Sequence, residues 1–225
     1  MGFFDDNEEW KRQRLHKFTS SKINLLTHAG KKGEYFGVQA KKYIRQVRGE
    51  IITLEIPEEI TGIRAMEWGH MYEGEAISDF IEQTGFHVEH FGNNNPKFFP
   101  HPIWPQFAGG SPDGMAEDGS FIVEVKCPSW AVHDEYFELK DWQAFKDCEP
   151  DYYGQVQFNM RCAGVKNGYF ISYHPLPKFD DFKRKIIPIP YDQAYLDNLE
   201  ERLEKAIEML NDGIWGPLFD KWNNS

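Results

Sequence analysis

A central mixed β-sheet flanked by helices, of the α/β or α+β class, is the architecture this sequence predicts, and three observations carry the expectation. Apolar residues recur at helical spacing in several separate segments, most regularly Leu196, Leu199, Leu203, Ile207 and Leu210. Between these segments lie short runs rich in β-branched and aromatic residues, residues 121–126 and 167–173. Helical and strand patterns alternate along the chain, as they do when helices cover a sheet.

The elements follow in order. Residues 11–26 read as a turn and then a helix, with Thr19 or Ser20 as N-cap before Ile23, Leu25 and Leu26. Residues 34–48 are a second helix, its lysines opposite Tyr35, Val38, Tyr43, Ile44 and Val47. Residues 63–83 form a third, through Met66, Tyr72, Ala76, Ile77, Phe80 and Ile81, ended by Gly85. A strand is expected at 86–91, and residues 93–105 hold too many Pro and Asn to be regular. Residues 107–110 and 121–126 are predicted as neighbouring strands of a hairpin, turning at Asp118-Gly119. A helix at 151–162 and a strand at 167–173 come next. The strand at 186–189 belongs at a sheet edge, because Pro188 and Pro190 cannot donate to a ladder. A helix over 191–210 ends near Asn211 and Gly213.

With 225 residues, 40% hydrophobic and 27% charged, and no linker-like stretch, the chain is expected to form a single domain, 1–225, around one sizeable core. No apolar run approaches the roughly 20 residues that span a bilayer. The acidic start (Asp5, Asp6, Glu8, Glu9) is unlike a signal peptide, and Asp6 stands where myristoylation would need Ser or Thr. A cytoplasmic protein without a membrane partner is expected. Cys127, Cys148 and Cys162 are odd in number and lack metal-site spacing, which points to reduced thiols.

The net charge of −11 conceals an asymmetry. From Trp10 to Arg48 eleven Lys and Arg face one acid, Glu34, for a local +10, while residues 49–225 carry −17. A cationic segment of this density is what a phosphate backbone would meet, whatever the total.

The chemistry is carried by Gly110-Ser111-Pro112-Asp113-Gly114 followed by Val123-Glu124-Val125-Lys126-Cys127-Pro128. On a strand, Glu124 and Lys126 leave one face, toward a cleft, while Val123 and Val125 leave the other, toward a core. Cleaving a phosphodiester requires charge neutralisation, a deprotonated water and help for the leaving oxygen, which paired Mg2+ ions supply. Mg2+ needs one or two carboxylates and keeps several waters. Asp113 and Glu124 are therefore assigned as ligands with the Val125 carbonyl as a third, and Lys126 as the group that orients the attacking water. Glu73, expected to lie off the apolar stripe of its helix, and Gln155 and Gln157 gain meaning from this company.

Glu73, Ser111-Pro112-Asp113-Gly114, Glu124-Val125-Lys126-Cys127-Pro128 and Gln155-Val156-Gln157, in that order, resemble the PD-(D/E)xK nuclease superfamily, with its restriction-endonuclease-like core, and specifically its lambda exonuclease or YqaJ-type viral recombinase branch. Trp10, Arg14-Leu15, Thr19, Ser21 and Trp68-Gly69 with Tyr72-Glu73 match that branch too, so the resemblance covers nearly the whole chain; residues 85–108 depart from it. It implies a Mg2+-dependent exonuclease, with Mn2+ able to substitute, that degrades linear double-stranded DNA 5′ to 3′ from a 5′-phosphorylated end. Such an enzyme releases mononucleotides and leaves a 3′ single strand for phage-type recombination. The resemblance also implies a ring-shaped homotrimer, a single-strand annealing protein as partner, and a bacterial host cytoplasm. By matching position, Asp113, Glu124 and Lys126 are catalytic with Glu73 beside the metals. Arg14, Ser21, Ser111 and Gln155 would hold the terminal phosphate, and Arg64, Met66 and Gln157 would contact DNA. Another nuclease of the superfamily, an endonuclease or a Cas4-like enzyme, and a catalytically silent DNA-end binding module are the competing readings; the three cysteines fall short of the four an iron-sulfur Cas4 carries.

Overall fold

A computed structural model describes residues 5–53, 63–92, 95–210 and 212. The chain opens with α1 (Asp5–Arg14), β1 (Phe18–Thr19) and the single turn α2 (Ser20–Ile23), then α3 (Val38–Thr53) and α4 (Ile63–Thr84). Five strands follow: β2 (Val88–His90), β3 (Phe99–Pro100), β4 (Ala108–Gly110), β5 (Gly114–Ala116) and β6 (Ile122–Lys126). The rest is α5 (Trp130–Phe137), α6 (Trp142–Cys148), α7 (Pro150–Ala163), β7 (Asn167–Tyr173), β8 (Arg184–Pro190) and α8 (Gln193–Leu210). None of the helices in the described residues is long and apolar enough to cross a membrane.

The main sheet has the order β2-β5-β6-β7-β8 and is mixed, because only β6 and β7 run parallel. Helices α5 to α7 form the crossover a parallel pair requires. The expected period-two pattern explains how both faces are covered. Val123, Val125, Ile171 and Tyr173 pack on Ala76, Ile77 and Phe80 of α4. Ile122, Phe170, Ile187 and Ile189 face Phe145, Tyr153, Val156 and Met160 of α6 and α7. Each such buried side chain contributes about 1.5–3 kcal/mol relative to leaving it in water. A third apolar cluster joins Phe18, Ile23 and Leu26 to Ile44 and Val47 of α3 and to Leu196, Leu199 and Leu203 of α8. As expected from its prolines, β8 is an edge strand, with Ile187 and Ile189 buried and Pro188 and Pro190 exposed.

The hairpin differs from expectation. Its returning strand is β6, but its first strand is β5, in register Gly114 opposite Val123. Residues 108–110 instead form β4, the centre of a separate sheet β1-β4-β3. Pro112, which has no N–H, separates the two. Gly109 and Gly110 let β4 pass close to its neighbours: a Cβ on Gly109 would fall 2.1 Å from the Phe98 ring, and one on Gly110 2.3 Å from Asn159 Oδ1. Three helices were not anticipated, α1, α5 and α6, and the residues 93–105 contain the two-residue strand β3.

Candidate active site

Asp113 sits immediately before β5, locked on three sides. Its N–H donates to the Val123 carbonyl (3.1 Å), its carbonyl accepts from Phe91 N–H (2.8 Å), and its Oδ2 accepts from Val125 N–H (2.6 Å). A strand residue turns its N–H and C=O to the same edge, so the Val125 carbonyl points to the Asp113 side, past the end of the β5 ladder. Glu124 leaves β6 toward α7 and is fully buried. The expected open cleft at this side chain is therefore filled by α7 residues. Glu124 Oε1 accepts from Lys126 Nζ (2.5 Å) and Gln155 Nε2 (2.6 Å), and Oε2 from Asn159 Nδ2 (3.0 Å). Lys126 Nζ also lies 5.2 Å from the centre of the Tyr152 ring.

These groups perturb one another. Burial, then the Glu124 charge, lifts the Asp113 carboxyl well above its ordinary range, and Glu73 adds to the rise while Lys126 opposes it. Burial likewise raises Glu124 against the pull of Lys126. For Lys126, burial alone would favour the neutral amine, but Glu124 and Asp113 outweigh it and keep the ammonium charged. Burial, with Glu73 and Asp113 nearby, pushes the Cys127 thiol up to about 12, so it is a neutral neighbour and no nucleophile.

Glu73 was expected off the apolar stripe of α4, yet it shares the face of Ala76, Ile77 and Phe80, at i+3, i+4 and i+7. Its Oε1 is 2.8 Å from His90 Nε2. The terminal-phosphate candidates gather at one end of the small sheet. Strands β1 and β4 run parallel, with Phe18 opposite Ala108 and Thr19 opposite Gly109, so Ser21 and Ser111 emerge at the same end. Trp10 Nε1 donates to Ser111 Oγ (3.0 Å), and the Arg14 guanidinium stacks 4.3 Å from the Trp10 ring. Gln155 lies one helical turn before Asn159, which touches Gly110. Gln157 belongs elsewhere: fully buried, it donates to the Pro190 carbonyl (2.8 Å) and accepts from Asp192 N–H (2.9 Å), a bracket between α7 and the turn from β8 into α8 that leaves no amide group for DNA. The side chains of Arg64 and Met66 lie outside the described residues.

Two residues beyond the expected set belong to the site, Asn159 and His90. Asn159 could have been read from its i+4 spacing to Gln155; His90 has no signal in the local sequence. Among the described residues no three His, Cys, Asp or Glu side chains stand close enough to hold a metal ion by themselves. Two carboxylates that destabilise each other, with a strand carbonyl beside them, nevertheless suit a hard, partly hydrated cation, since Mg2+ takes oxygen ligands and keeps several waters.

The whole fold recurs in solved proteins. An alkaline exonuclease (LHK-Exo) from Laribacter hongkongensis is 26% identical, with a TM-score of 0.75 over 91% of this chain and 92% of the other. Its complex with dAMP superposes at 0.74 with the same identity and coverage. A phage-related exonuclease from Haemophilus somnus 129PT shares the fold at 15% identity, TM-score 0.70, covering 90% of this chain and 96% of the other. No curated protein matches the sequence. A family model, the YqaJ-like viral recombinase domain, matches residues 9–166, from just before Trp10 through the hairpin, Lys126 and the whole of α7. The chain thus belongs to the family of YqaJ-like viral recombinase domains.

Proposed function

We propose that the protein is a phage-type exonuclease that degrades one strand of linear double-stranded DNA 5′ to 3′ from a 5′-phosphorylated end. It would release mononucleotides and leave a 3′ single strand for annealing by a partner protein. The observation that carries the reading is the convergence of Asp113, Glu124 and Lys126 at the end of the β5–β6 hairpin, with both carboxyls raised and the ammonium held charged. Asp113, Glu124 and the Val125 carbonyl would hold two Mg2+ ions, with Mn2+ able to substitute and Glu73 alongside. When bound, such ions neutralise the scissile phosphate and acidify a water. Lys126 orients that water and steadies the charge developing on phosphate oxygen, which it can do because its charge persists in the buried site. Gln155 and Asn159 fix the two oxygens of Glu124. Arg14, Ser21, Ser111 and Gln155 line the cup for the terminal phosphate, in which a guanidinium offers paired donors to phosphate oxygens.

Membership of the viral recombinase family and the likeness to an exonuclease solved with a deoxynucleotide support this activity. The bases between Trp10 and Arg48, against −17 over residues 49–225, support a duplex surface formed by that segment, as a homotrimeric ring would use on its inner side. Incubation with Mg2+ and duplexes labelled separately at each 5′ and 3′ end, with and without 5′-phosphate, alongside covalently closed circles, tests the reading. Linear 5′-phosphorylated DNA should be consumed from its 5′ ends and circles left intact. Cutting of circles would indicate an endonuclease, and a monomeric mass under active conditions would refute the ring.

A further inference from the structure

We propose that His90 is a positioning residue for the candidate cation site, holding Glu73 in place beside Asp113. The inference rests on the metal-dependent reading above and extends it to a residue outside the matching motifs. His90 is the last residue of β2, paired with Gly114 of β5, and the following N–H, that of Phe91, donates to the Asp113 carbonyl. The strand carrying the imidazole is thereby fastened to the residue that would ligate the cation. From there His90 Nε2 reaches Glu73 Oε1 on α4 at 2.8 Å. A carboxylate oxygen accepts, so the bond is made by the imidazole tautomer that carries its proton on Nε2.

The surroundings are shaped for the ring. Gly92 leaves a space in which a Cβ would lie 2.5 Å from the imidazole Cε1 and 2.7 Å from Nε2, and a Cβ on Gly74, the residue after Glu73, would lie 3.6 Å from Cε1. Two glycines thus flank the imidazole, one on its own strand's exit and one on α4. Glu73 is separated from Asp113 by a whole element: it sits on a helix above the sheet, while Asp113 sits at a strand end. A glutamate left to its own three side-chain rotors would sample many positions, and the hydrogen bond to His90 ties it to the strand bonded to Asp113. Hydrogen-bond partners of metal-binding carboxylates set ligand orientation in this way, and their loss costs on the order of 10–100-fold in metal affinity or activity.

The test is calorimetric titration of Mn2+ into the DNA-free protein, with kcat and KM measured in parallel on a 5′-phosphorylated duplex. His90→Ala should bind Mn2+ about 10-fold or more weakly and lose kcat more than KM. His90→Gln, whose amide can donate from about the same place as Nε2, should recover most of both. Gly92→Ala, which drives a Cβ into the imidazole, whose atoms are the nearest to it, should weaken Mn2+ binding in the same direction and serves if His90→Ala fails to fold. Mn2+ affinity unchanged in His90→Ala, or in Gly92→Ala where that is the variant that folds, overturns the inference, as does a folded His90→Gln no better than His90→Ala. A parent protein that takes up no Mn2+ defeats instead the metal-dependent reading itself, and that result appears before any substitution is made.

Discussion

Two polar clusters are buried against α7, and they differ in how their charge is balanced. On one face of the helix Gln155 and Asn159 bind Glu124, beside Asp113 and Lys126, where two carboxylates are matched by one ammonium and both carboxyls are pushed up. On another face of the same stretch, Phe158 and Arg161 meet His101 and Glu200. There His101 is fully buried between the Trp104 and Phe158 rings, its Nδ1 accepts from Ile103 and Trp104 N–H, and its Nε2 faces Glu200, which Arg161 also holds. Burial drives the His101 pKa down to about 4, so the imidazole is neutral and the one carboxylate has its own guanidinium. The second cluster is complete as it stands. In the first, carboxylates outnumber cations, which in a buried place costs stability unless something positive is added. This is the difference between a polar group that holds a fold and one that awaits a ligand.

The largest effect should come from the unbalanced cluster. Lys126→Ala should lower kcat by about 10²–10³-fold on linear duplex, the loss typical of a missing charge-stabilising donor; single-turnover digestion measures it, and duplex binding should persist. Arg14→Ala should reduce the preference for 5′-phosphate over 5′-hydroxyl ends by about 10–100-fold, from the loss of a charge-assisted bond of about 1.5–3 kcal/mol. Equal impairment on both ends would contradict the pocket. Gly110→Ala places a Cβ against Asn159 Oδ1, and this overpacking should cost about 1–3 kcal/mol in chemical denaturation while loosening the hold on Glu124.

Much of this contrast was legible in the sequence, and the remainder was hidden for identifiable reasons. The long helices α3, α4 and α8 and the strands β6, β7 and β8 follow from apolar periodicity, which reports burial directly. The pairing partner of β6 was misassigned because residues 108–110 are apolar and adjacent, yet only Gly109 and Gly110 can approach Phe98 and Asn159 so closely, a fact of tertiary packing. Strands β1 and β3 have two residues each and exist through pairing with β4, so no local pattern could announce them. Helix α5 went unread because its fully buried His133 is polar: the imidazole bonds Ser172 Oγ at 2.7 Å and the Phe182 carbonyl at 3.0 Å, which looks from sequence like a solvated position. In the site, the ligand candidates came from motif spacing. Asn159 left only its i+4 spacing to Gln155 as a signal, and His90 was invisible because its worth lies in what it touches.

The smaller predicted effects concern stability and pH, and they separate the clusters by sign. An acid whose pKa is raised by folding binds more protons in the native state, so Asp113 and Glu124 should make the metal-free protein more stable as pH falls from neutral through their raised values toward the ordinary carboxylate range. Asp113→Asn should accordingly raise the metal-free melting temperature, by about 2–4 °C for each kcal/mol of relieved repulsion in a chain of this size, and flatten that pH dependence. His101 acts in the opposite sense. Its pKa is lowered from 6.5 to about 4, so the unfolded chain binds the extra proton and stability falls as pH drops through that interval. His101→Phe, tested by melting between pH 7 and pH 4, should remove part of that fall; an unchanged profile would show that the second cluster does not titrate as described.

The central claim is that two carboxylates and a lysine of one hairpin gather divalent ions, and locating those ions tests it most directly. Crystals soaked in manganese should show anomalous scattering between the carboxylates of Asp113 and Glu124, within bonding distance of the Val125 carbonyl, with Lys126 turned toward a bound water. Manganese lodged elsewhere, or these side chains undisturbed and metal-free at saturating concentration, would contradict it.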